Sequence, residues 1–295
     1  MLCQTGGCAI FSENNNNMIL QNVQISDING NKWGSFLFFN NGQQLQIMNC
    51  SFNYGYSNLI GGDLVIISTQ ILSIVNTVFN NSAALIRGGS NYYFDITYIE
   101  ISNSYYLNGY SFQECGSIKL FQTNTLYVEN TIFQNNYAED NGGVFHFNYA
   151  KNTTIVNSLF QNNTSKKGYG GAIYYKQSNF TTFINCTFLN NQAYYGGAFY
   201  FQNLQVKNNS YSIDNCNFTS NYAQTNGGAM AFETVISEFI INNTVFLQNI
   251  AKKGGGAIQT KESKVIILNS DFIKNQALNG NAGSRIRWWY VYQQF

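Results

Sequence analysis

Glycine pairs return along this chain at a nearly fixed interval. Counting the second glycine of each pair, or its nearest counterpart, gives Gly7, Gly34, Gly62, Gly89, Gly116, Gly143, Gly171, Gly197, Gly228, Gly256 and Gly283, with gaps of 26 to 31 residues. An aromatic column keeps the same beat at Phe52, Phe79, Phe133, Phe160, Phe188, Phe218, Phe246 and Phe272. Ile25 precedes it, and Tyr105 fills the slot between Phe79 and Phe133. Three residues ahead of these runs a third column, Asn49, Asn76, Asn130, Asn157, Asn185, Asn215, Asn243 and Asn269. Only the Tyr105 repeat breaks it, with Ser102 in the slot. Three columns of different residue type, in phase over ten repeats, mean one structural unit used many times.

Within each unit the pattern is that of strands. Large apolar residues alternate after each glycine pair, as in Ile173 and Tyr175 or Phe199 and Phe201, and again before each Asn, as in Leu45 and Ile47. Alternation marks a strand with one buried face. Helical repeats of this length need an apolar stripe at period 3.6, which is missing. Three short strands in about 27 residues form one coil of an all-β, right-handed, single-stranded parallel β-helix, and about ten coils rising ~4.8 Å each make a rod of ~50 Å. The glycine pair serves a tight corner. The Asn column serves a second bend, because Asn tolerates the left-handed region and stacked amides can bond along the axis.

Four units read Gly-Gly-Ala followed by Ile, Phe or Met: Gly170 to Ile173, Gly196 to Phe199, Gly227 to Met230 and Gly255 to Ile258. Paired with the Phe-x-x-Asn motif, this resembles the repeat of bacterial polymorphic outer membrane proteins. The match is strong from Phe133 to Asn275 and weaker before it. Those proteins are autotransporter passenger domains with a pectin-lyase-like β-helix, implicated in adhesion, and similar repeats occur in large protist surface proteins. The resemblance implies a rod at the cell surface.

The unbroken period makes residues 1–284 one solenoid, and 285–295, which leave the pattern, a cap strand or irregular tail. A corner as early as Gly6–Gly7 suggests a piece of a longer protein, in which any anchor would lie elsewhere. Only 10% of residues are charged and the net charge is +1, which removes the case for nucleic acid as a partner. No apolar run is long enough to span a membrane. No Cys or His spacing suggests a metal, and no cofactor is expected. The cysteines Cys50, Cys186 and Cys216 follow the Asn column, where other coils carry Ser or Thr.

Polysaccharide-active β-helices need clustered carboxylates. Here the acids are dispersed: Asp63 stands between Ser35 and Ser90 with no acidic neighbour. His146, the single histidine, has no acid partner within one coil. The expectation is therefore a non-catalytic structural or adhesive segment, with a polysaccharide lyase or hydrolase and an inert spacer as alternatives. The outward column Tyr92, Lys119, His146, Tyr174 and Tyr200 forms a flat strip suited to stacking on surface glycans or on a partner protein; ordinary cross-strand packing is the plainer account. Glycosylation sequons in expected loops are Asn162, Asn163, Asn179 and Asn208.

Overall fold

The structure is a computed structural model that describes residues 8–204 and 210–279. Cys3, Gly7, Asn208, Gly283 and the segment 285–295 lie outside the described residues. The described chain winds as a parallel β-solenoid of ten coils, without a helix. Three sheets run along the rod. One, of 16 strands, contains the stretches behind the glycine pairs, such as Leu37–Met48, Asn91–Ser102, Phe145–Asn148 and Ile173–Lys176. A second stacks ten three-residue strands centred on the aromatic column, from Gln24–Ser26 to Asp271–Ile273. The third stacks ten short strands from Asn29–Gly30 to Gln276–Ala277.

Four columns of left-handed backbone bend the coil. The first glycines of the pairs, Gly61, Gly88, Gly142, Gly170, Gly196, Gly227 and Gly255, have φ of 59–71°. Gly34 belongs with these, because Leu37 pairs with Leu64 and so sets Gly34 beside Gly61; the reading that aligned it with Gly62 was one residue out. Cys115, φ 65°, takes the same corner in its coil. The second glycines meet a different demand. A Cβ on Gly62, Gly89, Gly116, Gly143, Gly171, Gly197 or Gly228 would fall inside 3.0 Å of the carbonyl oxygen of the next coil's glycine.

The asparagines Asn49, Asn76, Asn130, Asn157, Asn185, Asn215, Asn243 and Asn269 all have φ of 43–53° and face solvent. Amide bonds link several of them along the axis, as from Asn76 to Asn49 (3.2 Å) and from Asn185 to Asn157 (2.7 Å). The Tyr105 repeat does not break this column. Tyr105 pairs with Val78, so Tyr106 is the ring that stacks under Phe79 and Asn103, φ 48°, is the bend. The other two left-handed columns mix residue types: Asn41, Ser68, Asp95, Gln122, Tyr149 and Gln177 in one, Tyr54, Asn81, Asn135, Asn190 and Gln248 in the other.

Nine rings from Phe52 to Phe272 stack one per coil, with centroids 4.7–5.2 Å apart, the first eight buried and Phe272 exposed at the end of the described stack. Beside them runs a buried asparagine ladder, Asn136, Asn163, Asn191, Asn221 and Asn249, ending at the half-buried Asn275. From Asn163 on, each side-chain oxygen accepts both the backbone N–H and the amide N–H of the preceding member, for example 3.1 and 2.9 Å from Asn163 to Asn191. The amide also donates to an aromatic-column carbonyl, Asn163 to Phe133 at 3.0 Å. Buried polar groups persist only when paired in this way. Cys50, Cys186 and Cys216 stand among Ser and Thr for a related reason. Their thiols donate to the carbonyl two residues back at 3.2–3.3 Å, as Thr77 and Thr131 do at 3.0 and 2.9 Å.

In the early coils the inner ladder is replaced by Gly109, Ser82 and Gly55, and the space is taken by Asp63. Asp63 is fully buried and stacks between Phe36 and Ser90, not Ser35. Its carboxyl occupies the position where a side chain on Gly55 would sit, and it hydrogen-bonds to the Ser82 hydroxyl. The other carboxyl oxygen has no hydrogen-bond partner. Burial pushes the acid well above the usual carboxylate range, and the Ser82 bond offsets only part of this. The folded state thus holds this proton more tightly than the unfolded chain. Its contribution is complete at low pH and is lost as pH rises above about 4. Asp63→Asn is expected to raise the urea midpoint at pH 7, with the gain shrinking as the comparison moves toward pH 4. Equal midpoints across that range would contradict this assignment.

Candidate functional site

The outward column of the large sheet is in strict register: Tyr92 pairs with Lys119, then His146, Tyr174 and Tyr200. It does not form an open strip. Lys119 and His146 are 3% exposed and Tyr174 and Tyr200 are 4% exposed, and Tyr92 alone is half-buried. The cover comes from residues that precede the left-handed corner. Trp33, Ile60, Arg87 and Glu114 stack in a line there, and the side chains of Trp33, Arg87 and Glu114 reach back over the sheet.

What covers the column changes along the rod. At one end Phe38 lies under Phe11 and Trp33, with centroids 5.1 and 5.3 Å away. Farther along, Tyr169 and Tyr195 close over Tyr174 and Tyr200, and the Tyr169–Tyr200 centroids are 4.4 Å apart. Tyr174 and Tyr200 are tilted by 36° at 5.9 Å rather than stacked flat. Their hydroxyls donate to Gln202 (2.6 Å) and Glu233 (2.5 Å), and Lys261 holds Glu233 at 2.8 Å. These two tyrosines belong to a packed cluster, which corrects the expectation of a free stacking surface.

Between the aromatic ends lies a cavity of about 190 Å³, walled by Arg87, Glu114, Lys119, Phe121, Asn141, His146, Asn148, Tyr174 and Lys176. Glu114 is its hub. Its carboxylate is 3.2 Å from Lys119 Nζ, 3.2 Å from Arg87 Nε and 3.8 Å from His146 Nδ1. His146 therefore does have a carboxylate nearby, supplied by the corner of the preceding coil, which corrects the expectation that no acid stands within one coil of it. The 3.8 Å separation is longer than a hydrogen bond. Burial lowers Lys119 to about 8, against the pull of Glu114. Burial also holds the imidazole well below its usual range, helped by the charges of Lys119, Lys176 and Arg87. His146 is neutral at pH 7, and neither ring nitrogen has a hydrogen-bond partner. Tyr174 meets it edge-on at 4.6 Å.

The sequon candidates separate. Asn162 is exposed and Asn179 is half-buried. Asn163 is fully buried inside the amide ladder, so a glycan there is incompatible with the fold and that expectation is withdrawn. Among the described residues no three His, Cys, Asp or Glu side chains group as metal ligands, and no helix is long and apolar enough to cross a membrane.

Residues 157–176, 185–202 and 243–261 each begin at a left-handed Asn, pass through the aromatic and inner-Asn positions, and end just behind a glycine pair. Three segments match the Chlamydia polymorphic membrane protein repeat. The repeat thus corresponds to one side of a coil and the corner that follows it, and its Phe-x-x-Asn places one ring in the core and one amide in the ladder. No curated protein and no solved structure matches the chain.

Proposed function

We propose that this chain is a non-catalytic β-helical segment of a surface protein, which makes adhesive contact through the outer face of its large sheet. The polymorphic membrane protein repeats support a surface protein of adhesin type. The carrying observation is the face itself, where apolar, cationic and tyrosine-rich zones succeed one another at coil spacing. A rod with so little charge elsewhere is suited to many weak contacts in line. The ligand classes that suit such a face are surface glycans and extended protein segments. The non-catalytic reading rests on the hub: Glu114 is engaged by Lys119 and Arg87, and the Glu114–His146 gap leaves no hydrogen-bonded acid–base relay. The test is attachment of the purified chain to glycan-coated and cell surfaces, with release of reducing or unsaturated ends measured in parallel. Attachment without cleavage is expected, and cleavage would replace this reading with the polysaccharide-enzyme alternative.

A further inference from the structure

The pocket at the centre of the face carries more positive charge than its own groups neutralise. Arg87, Lys119 and Lys176 face a single carboxylate, Glu114. The whole chain is only +1, so the pocket concentrates charge that the rest of the rod lacks. Lys119 and His146 hold their polar ends almost completely out of water. Lys119 has Glu114 as its one charged partner, which it shares with Arg87, and a buried imidazole with no hydrogen-bond partner on either nitrogen is costly unless something else meets it. Asn148 adds a buried side-chain oxygen that has no donor. The site therefore lacks an acceptor group bearing negative charge and, beside it, a hydroxyl donor.

We infer that this pocket binds an acidic sugar unit, taking its oxyanion group between Lys119, His146 and Lys176 and a neighbouring hydroxyl on Asn148. The three basic side chains come from three consecutive coils, so they reach the ligand from different directions. That geometry suits a sulfate or carboxylate on a ring better than a planar two-point fork, which Arg87 is not free to supply because Glu114 holds its Nε. About six waters fit the volume, enough for the charged group and part of the ring carrying it. Phe121, half-buried, lines the same cavity and gives it one apolar wall beside the charged groups. The inference rests on the adhesive reading and names the ligand class for that face.

The single histidine makes the test direct, because every imidazole signal in the nuclear magnetic resonance spectrum belongs to His146. The full chain, labelled with ¹⁵N, is titrated with a sulfated disaccharide, a uronate-containing disaccharide without sulfate, and a neutral disaccharide. Saturable displacement of the imidazole resonances by either acidic sugar, and none by the neutral one, is expected; which acidic sugar acts identifies the oxyanion. Lys119→Met and Lys176→Gln should each weaken binding about ten-fold. Lys176, half-buried at the pocket's rim, keeps the test valid if Lys119→Met unfolds. No displacement by either acidic sugar, or equal displacement in Lys176→Gln, would overturn the inference. A chain that attaches to surfaces while His146 stays silent loses this inference and keeps the adhesive reading; one that does neither loses both.

Discussion

Gly197→Ala is expected to cost about 3 kcal/mol or more, and so to unfold a substantial part of the rod under mild denaturant. The residue is not at a left-handed position, so backbone preference is not the cause. The added methyl would strike the carbonyl oxygen of Gly228 and the backbone of Tyr222 in the next coil. Those atoms belong to sheets whose spacing is fixed by continuous ladders, and they cannot retreat without parting two coils. Gly254→Ala is the matched control. There the nearest atoms are side-chain oxygens of Asn226 and Gln259, both at 3.2 Å, and these can rotate away. Its cost should stay within about 0.5 kcal/mol. Chemical denaturation of the two variants side by side checks the contrast, and comparable stability would mean that the coils do not approach as closely as described.

The second large effect belongs to the inner amide ladder. Asn191→Ala removes the oxygen that accepts the backbone and side-chain N–H groups of Asn163, and the donor that serves the Phe160 carbonyl at 2.9 Å. All of these atoms are buried, and each orphaned group costs about 1–3 kcal/mol. A loss of about 3–5 kcal/mol is expected, partly offset where water enters the cavity. Asn135→Ala changes a solvent-facing amide, partnered by Asn108 and Asn162, at a left-handed position, and should cost only about 1 kcal/mol, the backbone preference of Asn over Ala. Thermal unfolding of both variants distinguishes the ladders, and equal losses would contradict the different roles given to two asparagine columns that look alike in sequence.

That likeness explains where sequence reading succeeded and where it stopped. The solenoid was legible because glycine and phenylalanine columns each satisfy one rigid demand, a Cβ-free contact and a ring in the core. Of the two bends that escaped notice, one did because Ser68, Asp95, Gln122 and Tyr149 share a backbone angle and no side-chain property, and the other because its Asn81, Asn135 and Asn190 merge with neighbouring asparagines. Asn162 and Asn163 are adjacent in an Asn-rich run, yet one faces solvent and the other is sealed inside; a shift of one residue reverses the side. The pocket was half legible. Lys119, His146 and Tyr174 were placed in one column by the period alone. Glu114 and Arg87 were missed because they stand before the corner, in a column running from Trp33 and Ile60 to Arg87 and Glu114 without common chemistry. The cover they form turned an expected open strip into a partly covered pocket, and that cover is visible only once the corner has been folded back.

The central claim is that the outer face of the large sheet makes the contacts. Substituting its buried tyrosines would confuse contact with folding, so the informative positions are exposed ones. Trp33 is 40% exposed and Tyr149 is 48% exposed on this face, with the half-buried Phe121 beside Tyr149. Leu189 and Leu247 lie on the outer side of the aromatic-column sheet, away from it. The decisive measurement is surface attachment of Trp33→Ser/Phe121→Ser/Tyr149→Asn against Leu189→Ser/Leu247→Ser, each with its unfolding midpoint recorded. A loss of about ten-fold or more for the first set and none for the second is the expected result. Equal attachment by both sets, with folding intact, would show that the face is packing and that the rod makes its contacts elsewhere.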